Sequence, residues 1–158
     1  MDIYALLSSL QIEYQSAKHS PVYTVADAQA LHTQLPGTGC KNLLLVDKKS
    51  QAVYLLLLEE QKKADLKAVA RLVGAAHLRF ATEEELMEIL SLTPGSVSPL
   101  GLVNDPSHRV TVLIDSALRG QRILCHPNIN TRTLSIAYDD LIRFFRHLGH
   151  EYLLCSPA

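Results

Sequence analysis

Three short segments of this chain carry residues whose types and spacing suit chemistry. Cys40-Lys41-Asn42 leads into a leucine-rich strand, and a lysine at the mouth of such a strand offers a compact cation for a phosphate or carboxylate. Gly95-Ser96-Val97-Ser98-Pro99-Leu100-Gly101 combines glycines, which let a backbone approach a ligand closely, with a proline that fixes loop shape. Cys125-His126-Pro127-Asn128-Ile129-Asn130-Thr131 places an imidazole in a polar turn between two strands. Each also has a plain structural reading: a lysine snorkelling past a sheet edge, an ordinary connector, a hairpin turn.

Familiar signatures are missing. The chain has no G-x-S-x-G elbow, Walker A loop, H-E-x-x-H or G-x-G-x-x-G. His147 and His150 are spaced to offer two metal ligands, yet no third is evident, and exposed histidines at a helix end are the commoner case. Cys40, Cys125 and Cys155 are odd in number and lack C-x-x-C pairing, which fits free thiols in a reducing cytosol. Neighbouring Lys41 and His126 would lower a thiol pKa, but small core residues are the simpler role. No metal and no organic cofactor is suggested.

The elements that must position these residues can be read from periodicity. Ile3, Leu6, Leu7 and Leu10 form a helical face behind a capping Asp2, and Ile12, Tyr14 and Ser16 alternate as a strand. Thr24 and Asp27 resemble a capping box opening a helix over 25–35, stopped by Pro36-Gly37. Lys41–Val46 and Gln51–Leu58 read as a hairpin whose apolar runs demand cover on both faces, and alternation sends Lys41 and Asn42 to opposite sides. A short helix over Asp65–Val73, a brief strand Leu78–Phe80 and a capped helix from Thr82 to Leu90 follow. A long loop, Thr93–Ser107, precedes strands at Arg109–Asp115, Gln121–Cys125 and Arg132–Ile136, then a helix Tyr138–Leu148 and a last strand Glu151–Cys155. This irregular order predicts an α+β (mixed α/β) fold, with a curved mixed sheet surrounded by helices, and argues against a doubly wound parallel sheet.

The chain of 158 residues is expected to form a single domain, residues 1–158, with 47% hydrophobic and 20% charged residues. No stretch is apolar enough for a membrane span, and the start lacks the pattern of a signal peptide. A formal net charge of −1 means that any nucleic acid must be met by a local patch. Basic residues gather at Lys48/Lys49, at Lys62/Lys63/Lys67/Arg71, and at Arg109, Arg119, Arg122 and Arg132.

Taken in order, Lys41 through Lys49, the Gly95–Gly101 loop running on to Val103-Asn104-Asp105, and His126-Pro127-Asn128 with Asn130-Thr131 resemble the YbaK/prolyl-tRNA synthetase-associated editing domain family. The likeness is greatest to its PrdX (ProX-type) branch, free-standing deacylases for alanine misattached to proline tRNA. It spans Pro21-Val22-Tyr23-Thr24-Val25 to Gly149-His150-Glu151. The resemblance implies that Lys41 engages the terminal nucleotide or aminoacyl end and that Gly95 helps to position the attacking water. His126 is implied in binding or hydrolysis, with Asn42, Thr24, Ser96, Pro99 and Asn128 around the substrate. Asparagine after Lys41, with the His-Pro-Asn turn, points away from the cysteine-specific branch. Leu44 stands where relatives often carry an aromatic residue.

The implied activity is hydrolysis of an aminoacyl-tRNA ester, a carboxylic ester hydrolase acting on the mischarged acceptor end. Prolyl-tRNA synthetase is a possible partner, and the setting is cytoplasmic, in translation fidelity. Such an ester is already reactive, so orientation and charge stabilisation matter more than a strong nucleophile. A pocket built for a larger apolar substrate rejects a smaller one poorly, one methylene being worth about 1–3 kcal/mol, so a second, tighter site supplies the missing discrimination. Three alternatives stay open: a catalytically silent module binding tRNA or synthetase, a deacylase for cysteinyl, seryl or threonyl tRNA, and a small-ester hydrolase without RNA.

Overall fold

Apolar runs at 43–46 and 53–58 need cover on both faces, and that requirement sets the architecture. The computed structural model describes residues 2–21 and 35–156. Helix α1 (Ile3–Ser9), capped by the Asp2 carboxylate, precedes strand β1 (Tyr14–Lys18). The hairpin β2 (Thr38–Asp47) and β3 (Val53–Glu59) is followed by α2 (Leu66–Val73) and β4 (Leu78–Phe80). Helix α3 (Glu83–Leu90) starts at the Thr82–Glu85 capping box, both halves of which form. Strands β5 (Val110–Asp115), β6 (Arg122–Cys125) and β7 (Arg132–Ala137) lead to α4 (Tyr138–Leu148) and β8 (Tyr152–Cys155).

The sheet is mixed, in the order β1-β7-β6-β2-β3-β5-β8, with β4 against β2. Hairpin pairs are antiparallel, whereas β3–β5, β5–β8 and β2–β6 are parallel. Strand alternation separates two cores. Leu44, Val46, Leu55 and Leu57 join Leu7, Leu90, Phe144 and Phe145 on the side of α1, α3 and α4. Leu45, Leu56, Leu58 and Leu113 meet Val69 and Ala70 of α2 on the other. Both hairpin strands thus lie mid-sheet, as their composition requires.

Some expectations shift. Strand β2 begins at Thr38, ahead of Lys41, because Thr38 and Gly39 pair with Ile123 and Leu124 of β6. Ile12 lies before β1 and is buried in the core rather than alternating in the strand. Part of the loop over 93–107 is ordered as a 3-10 helix, Pro99–Asn104, capped by the Ser98 hydroxyl on the Leu100 amide. The helix expected over 25–35 and Thr24 fall on residues outside the described ones, apart from buried Leu35.

One consequence of register matters most. Along the edge of β2 opposite β3, β6 covers only Thr38 and Gly39, and β4 covers only Leu45 to Asp47. With Ala81 N–H donating to the Leu44 carbonyl at 2.8 Å, a window remains at Cys40 to Leu43. Lys41 and Asn42 occupy it.

Candidate functional site

Beside that window lies a cavity of about 240 Å³, lined by Asn42, Leu44, Thr82, Leu86, Pro94, Gly95 and Val97 among others. Two of its residues have unspent hydrogen-bonding capacity. The Asn42 side-chain oxygen is buried and has no partner among the described residues. An orphaned buried acceptor costs about 1–3 kcal/mol, so it persists where something else supplies a donor. Gly95 contributes backbone. Its φ is +88°, Pro94 precedes it, and Ser96 N–H donates to the Thr93 carbonyl at 3.1 Å, which together define a type II turn. Glycine is what that third turn position requires. Among the described residues, nothing accepts from the Gly95 amide.

Ser96 is engaged within this turn: its hydroxyl donates to the Thr93 carbonyl at 2.9 Å and accepts from the Thr93 amide at 3.3 Å. It holds the turn in shape. Pro99 is buried at the first position of the 3-10 helix, where its fixed φ suits the helix start. Gly101 approaches Leu92 so closely that a Cβ would lie 2.6 Å from the Leu92 side-chain tip, so a larger residue there requires the Leu92 side chain to shift.

The loop is joined to the turn after β6 by Ser98, whose buried hydroxyl donates to the His126 carbonyl at 2.5 Å. Asn128, at φ +66°, donates to the Leu100 carbonyl at 3.4 Å, and its own oxygen is buried without a partner among the described residues. The His126 ring is half-buried, with Nδ1 2.9 Å from the Arg132 carbonyl. A carbonyl only accepts, so the neutral ring carries its proton on Nδ1 and leaves Nε2 as an acceptor. Burial holds its pKa below the usual 6.5, and nearby His19 pushes the same way against the Arg132 bond. The His126 ring centroid lies 6.0 Å from that of His19.

Lys41, expected with Gly95 at the substrate, does not line this cavity. Alternation puts it on the side of Leu43 and Leu45, and its ammonium donates to the Lys62 carbonyl. Lys62 in turn pairs with buried Asp115 at 2.9 Å. The structure therefore brings Asn42 to Gly95, and the Ser98–Leu100 segment to His126 and Asn128, while Lys41 stands at the window's other face.

Burial pushes the Cys125 thiol up to about 12 and that of Cys40 further still, so neither is a nucleophile near neutral pH. His150 is not an exposed terminal histidine. It is buried, with Nε2 3.0 Å from Asp105, and His108 packs on its ring, whereas His147 is exposed. Sequence reasoning passed over Ser98; its signal was a capping serine before proline. Thr82 and Leu86 were read as helix residues only, and folding alone makes them cavity wall.

A mixed sheet opened by a window, with a small cavity lined by Asn42 and the Gly95 turn, defines a small-molecule pocket able to orient a polar ester. The chain belongs to the aminoacyl-tRNA editing domain family, whose model matches residues 19–144. It is 34% identical over 151 residues to the prolyl-tRNA editing protein ProX of Acetoanaerobium sticklandii, covering 95% of this chain and 92% of that protein. A Danio rerio protein named prolyl-tRNA synthetase associated domain-containing protein 1 is 34% identical, with 98% and 85% covered. A crystal structure of a candidate trans-editing enzyme for prolyl-tRNA synthetase shares the fold, with a TM-score of 0.72 at 22% identity over 96% of this chain and 92% of that one. Among the described residues no helix is long and apolar enough to cross a membrane.

Proposed function

We propose that the protein, over residues 1–158 as one editing domain, hydrolyses the ester of mischarged tRNA in the cytoplasm, with alanyl-tRNA(Pro) as its substrate. The observation that carries this reading is that Asn42, whose side-chain oxygen is buried without a partner among the described residues, and Gly95 line one cavity. The first accepts from the α-ammonium group of an aminoacyl ester. The second donates to the ester carbonyl as water attacks its carbon and negative charge gathers on oxygen. The bond to the ribose oxygen then breaks and that oxygen takes a proton, with the neighbouring ribose hydroxyl and His126 Nε2 relaying protons. Lys41, on its long flexible stem, exchanges the Lys62 carbonyl for the terminal nucleotide's phosphate. Leu44, Leu86 and Val97 form the apolar wall that admits a methyl side chain. The names of the relatives support prolyl-tRNA synthetase as a partner that supplies the mischarged product.

The test is a panel of tRNAs carrying alanine, cysteine, serine or threonine, timed for amino-acid release. Fastest release from alanyl-tRNA(Pro), reduced in Asn42→Leu and Lys41→Ala, is the expected result. Selective release of cysteine would move the chain to another substrate, and release from none would leave a binding module. The acid side of the profile is a separate check. Because the His126 pKa lies below 6.5, the ring is neutral at pH 7, and the rate falls only as pH drops through that lower value. His126→Gln removes this acidic limb in rates measured from pH 5 to 8; a limb retained in the variant excludes the role.

A further inference from the structure

Folding joins two basic clusters that are separated in sequence. The β2–β3 turn carries Lys48 and Lys49, and the Lys48 amide donates to the His77 carbonyl at 2.9 Å. Asp47, held down to about 2 by the Ser50 hydroxyl and the His77 amide, fixes this junction from within. Next to it, a groove of about 530 Å³ runs between α2 and the start of β4, lined by Lys67, Arg71 and His77 over Ala70, Ala75 and Leu78. Lys67 and Arg71 are four residues apart and so share one helix face.

Four other basic side chains are paired: Lys62 with Asp115, Arg79 with Glu85, Arg109 with Glu88, Arg143 with Asp140. Among the described residues, Lys48, Lys49, Lys67 and Arg71 have no carboxylate partner, and no carboxylate lines the groove. In a chain of net charge −1, such a concentration of unpaired cations is a local field for a polyanion. Its position selects which one. The groove ends at His77 and Leu78, and the cavity begins at Phe80 and Ala81, so the two are separated by the length of β4. Three strand residues span about 10 Å.

We propose that this groove holds the phosphate backbone of the tRNA acceptor stem, while the single-stranded end continues along β4 into the cavity. The inference rests on the tRNA reading above and adds the surface that recognises the stem. Small Ala70 and Ala75 at the floor let a backbone approach the cations, and small-molecule esters gain nothing from them.

The experiment compares alanyl-tRNA(Pro) with a short alanylated oligonucleotide ending in CCA, using the whole protein and the Lys67→Glu/Arg71→Glu variant. For tRNA, KM rises about tenfold with kcat unchanged, and the slope of log KM against log salt flattens by about 2, one unit for each lost phosphate contact. The short substrate is cleaved equally by both proteins. Equal KM values on tRNA, or equal losses on both substrates, overturn the groove's role. Fluorescence anisotropy with uncharged tRNA separates this from the reaction itself. If neither substrate is cleaved yet the variant loses tRNA affinity tenfold, the groove stands and the catalytic reading falls. Loss of binding only to an acidic peptide or an anionic vesicle overturns the groove as an RNA surface.

Discussion

Gly95→Ala lowers kcat/KM for the mischarged tRNA about a hundredfold, while thermal stability falls by only a few degrees. The reasoning begins with backbone geometry. At φ +88° in a type II turn, a Cβ costs about 1–2 kcal/mol, enough to favour a different turn over 93–96. The exposed turn can make that change without unpacking the core, since Ser98, Pro99 and Leu100 are held separately beneath it. What moves is the Gly95 amide, and a donor displaced from a developing oxyanion typically costs about 10²–10³ in rate. A hundredfold loss corresponds to about 2.7 kcal/mol of transition-state stabilisation. Asparagine tolerates positive φ better than alanine, so Gly95→Asn retains more activity. Steady-state kinetics beside a melting curve decide the matter: a fully active Gly95→Ala protein would remove the amide from the mechanism.

The second large effect concerns stability. Asp115→Ala destabilises the fold by about 3 kcal/mol. Asp115 is fully buried at the end of β5, where its carboxylate accepts from Lys62 Nζ at 2.9 Å and from the Glu59 and Ala117 amides at 3.0 Å each. Burial alone would raise its pKa, but the Lys62 ammonium and the two amides outweigh that and hold it below 3.8. Truncation strands two amides and a lysine. Lys62 is one-third exposed and can turn to water, which keeps the loss at the lower end of what a broken buried pair costs. The folded-state pKa is depressed, so the stabilisation is complete above the unfolded value and is lost as pH falls through the lower folded one. Urea denaturation should therefore show a constant gap between the two proteins from pH 5 to 8, narrowing below 3.8. A gap that widens in acid would contradict the assignment.

These two residues illustrate what was readable beforehand. Gly95 stood out because Pro-Gly marks a turn and glycine a close backbone approach, both local properties. Asp115 carried no local signal, since its partners lie at 59, 62 and 117 and meet only when β3 and β5 pair. Lys41 shows the limit from the other side. Alternation correctly separated it from Asn42, but which of the two faces would hold the cavity depended on where α3 and the Gly95 turn packed. His150 was misjudged for a similar reason. Its place after a helix end suggested exposure, and only the return of β8 against β5 buries it on Asp105.

By itself the sequence determined the kinds and order of most described elements, the hairpin with apolar faces on both sides, and three segments proposed to carry chemistry. Those follow from periodicity, caps and turn residues, which act over a few positions along the chain. Only the tertiary structure decided the window in β2, because it results from β6 and β4 each pairing with a different end of that strand. It also decided the company each polar group keeps. Whether the Asn42 oxygen is satisfied, or Lys67 is paired, depends on residues brought near by packing, and no spacing in the chain encodes that distance.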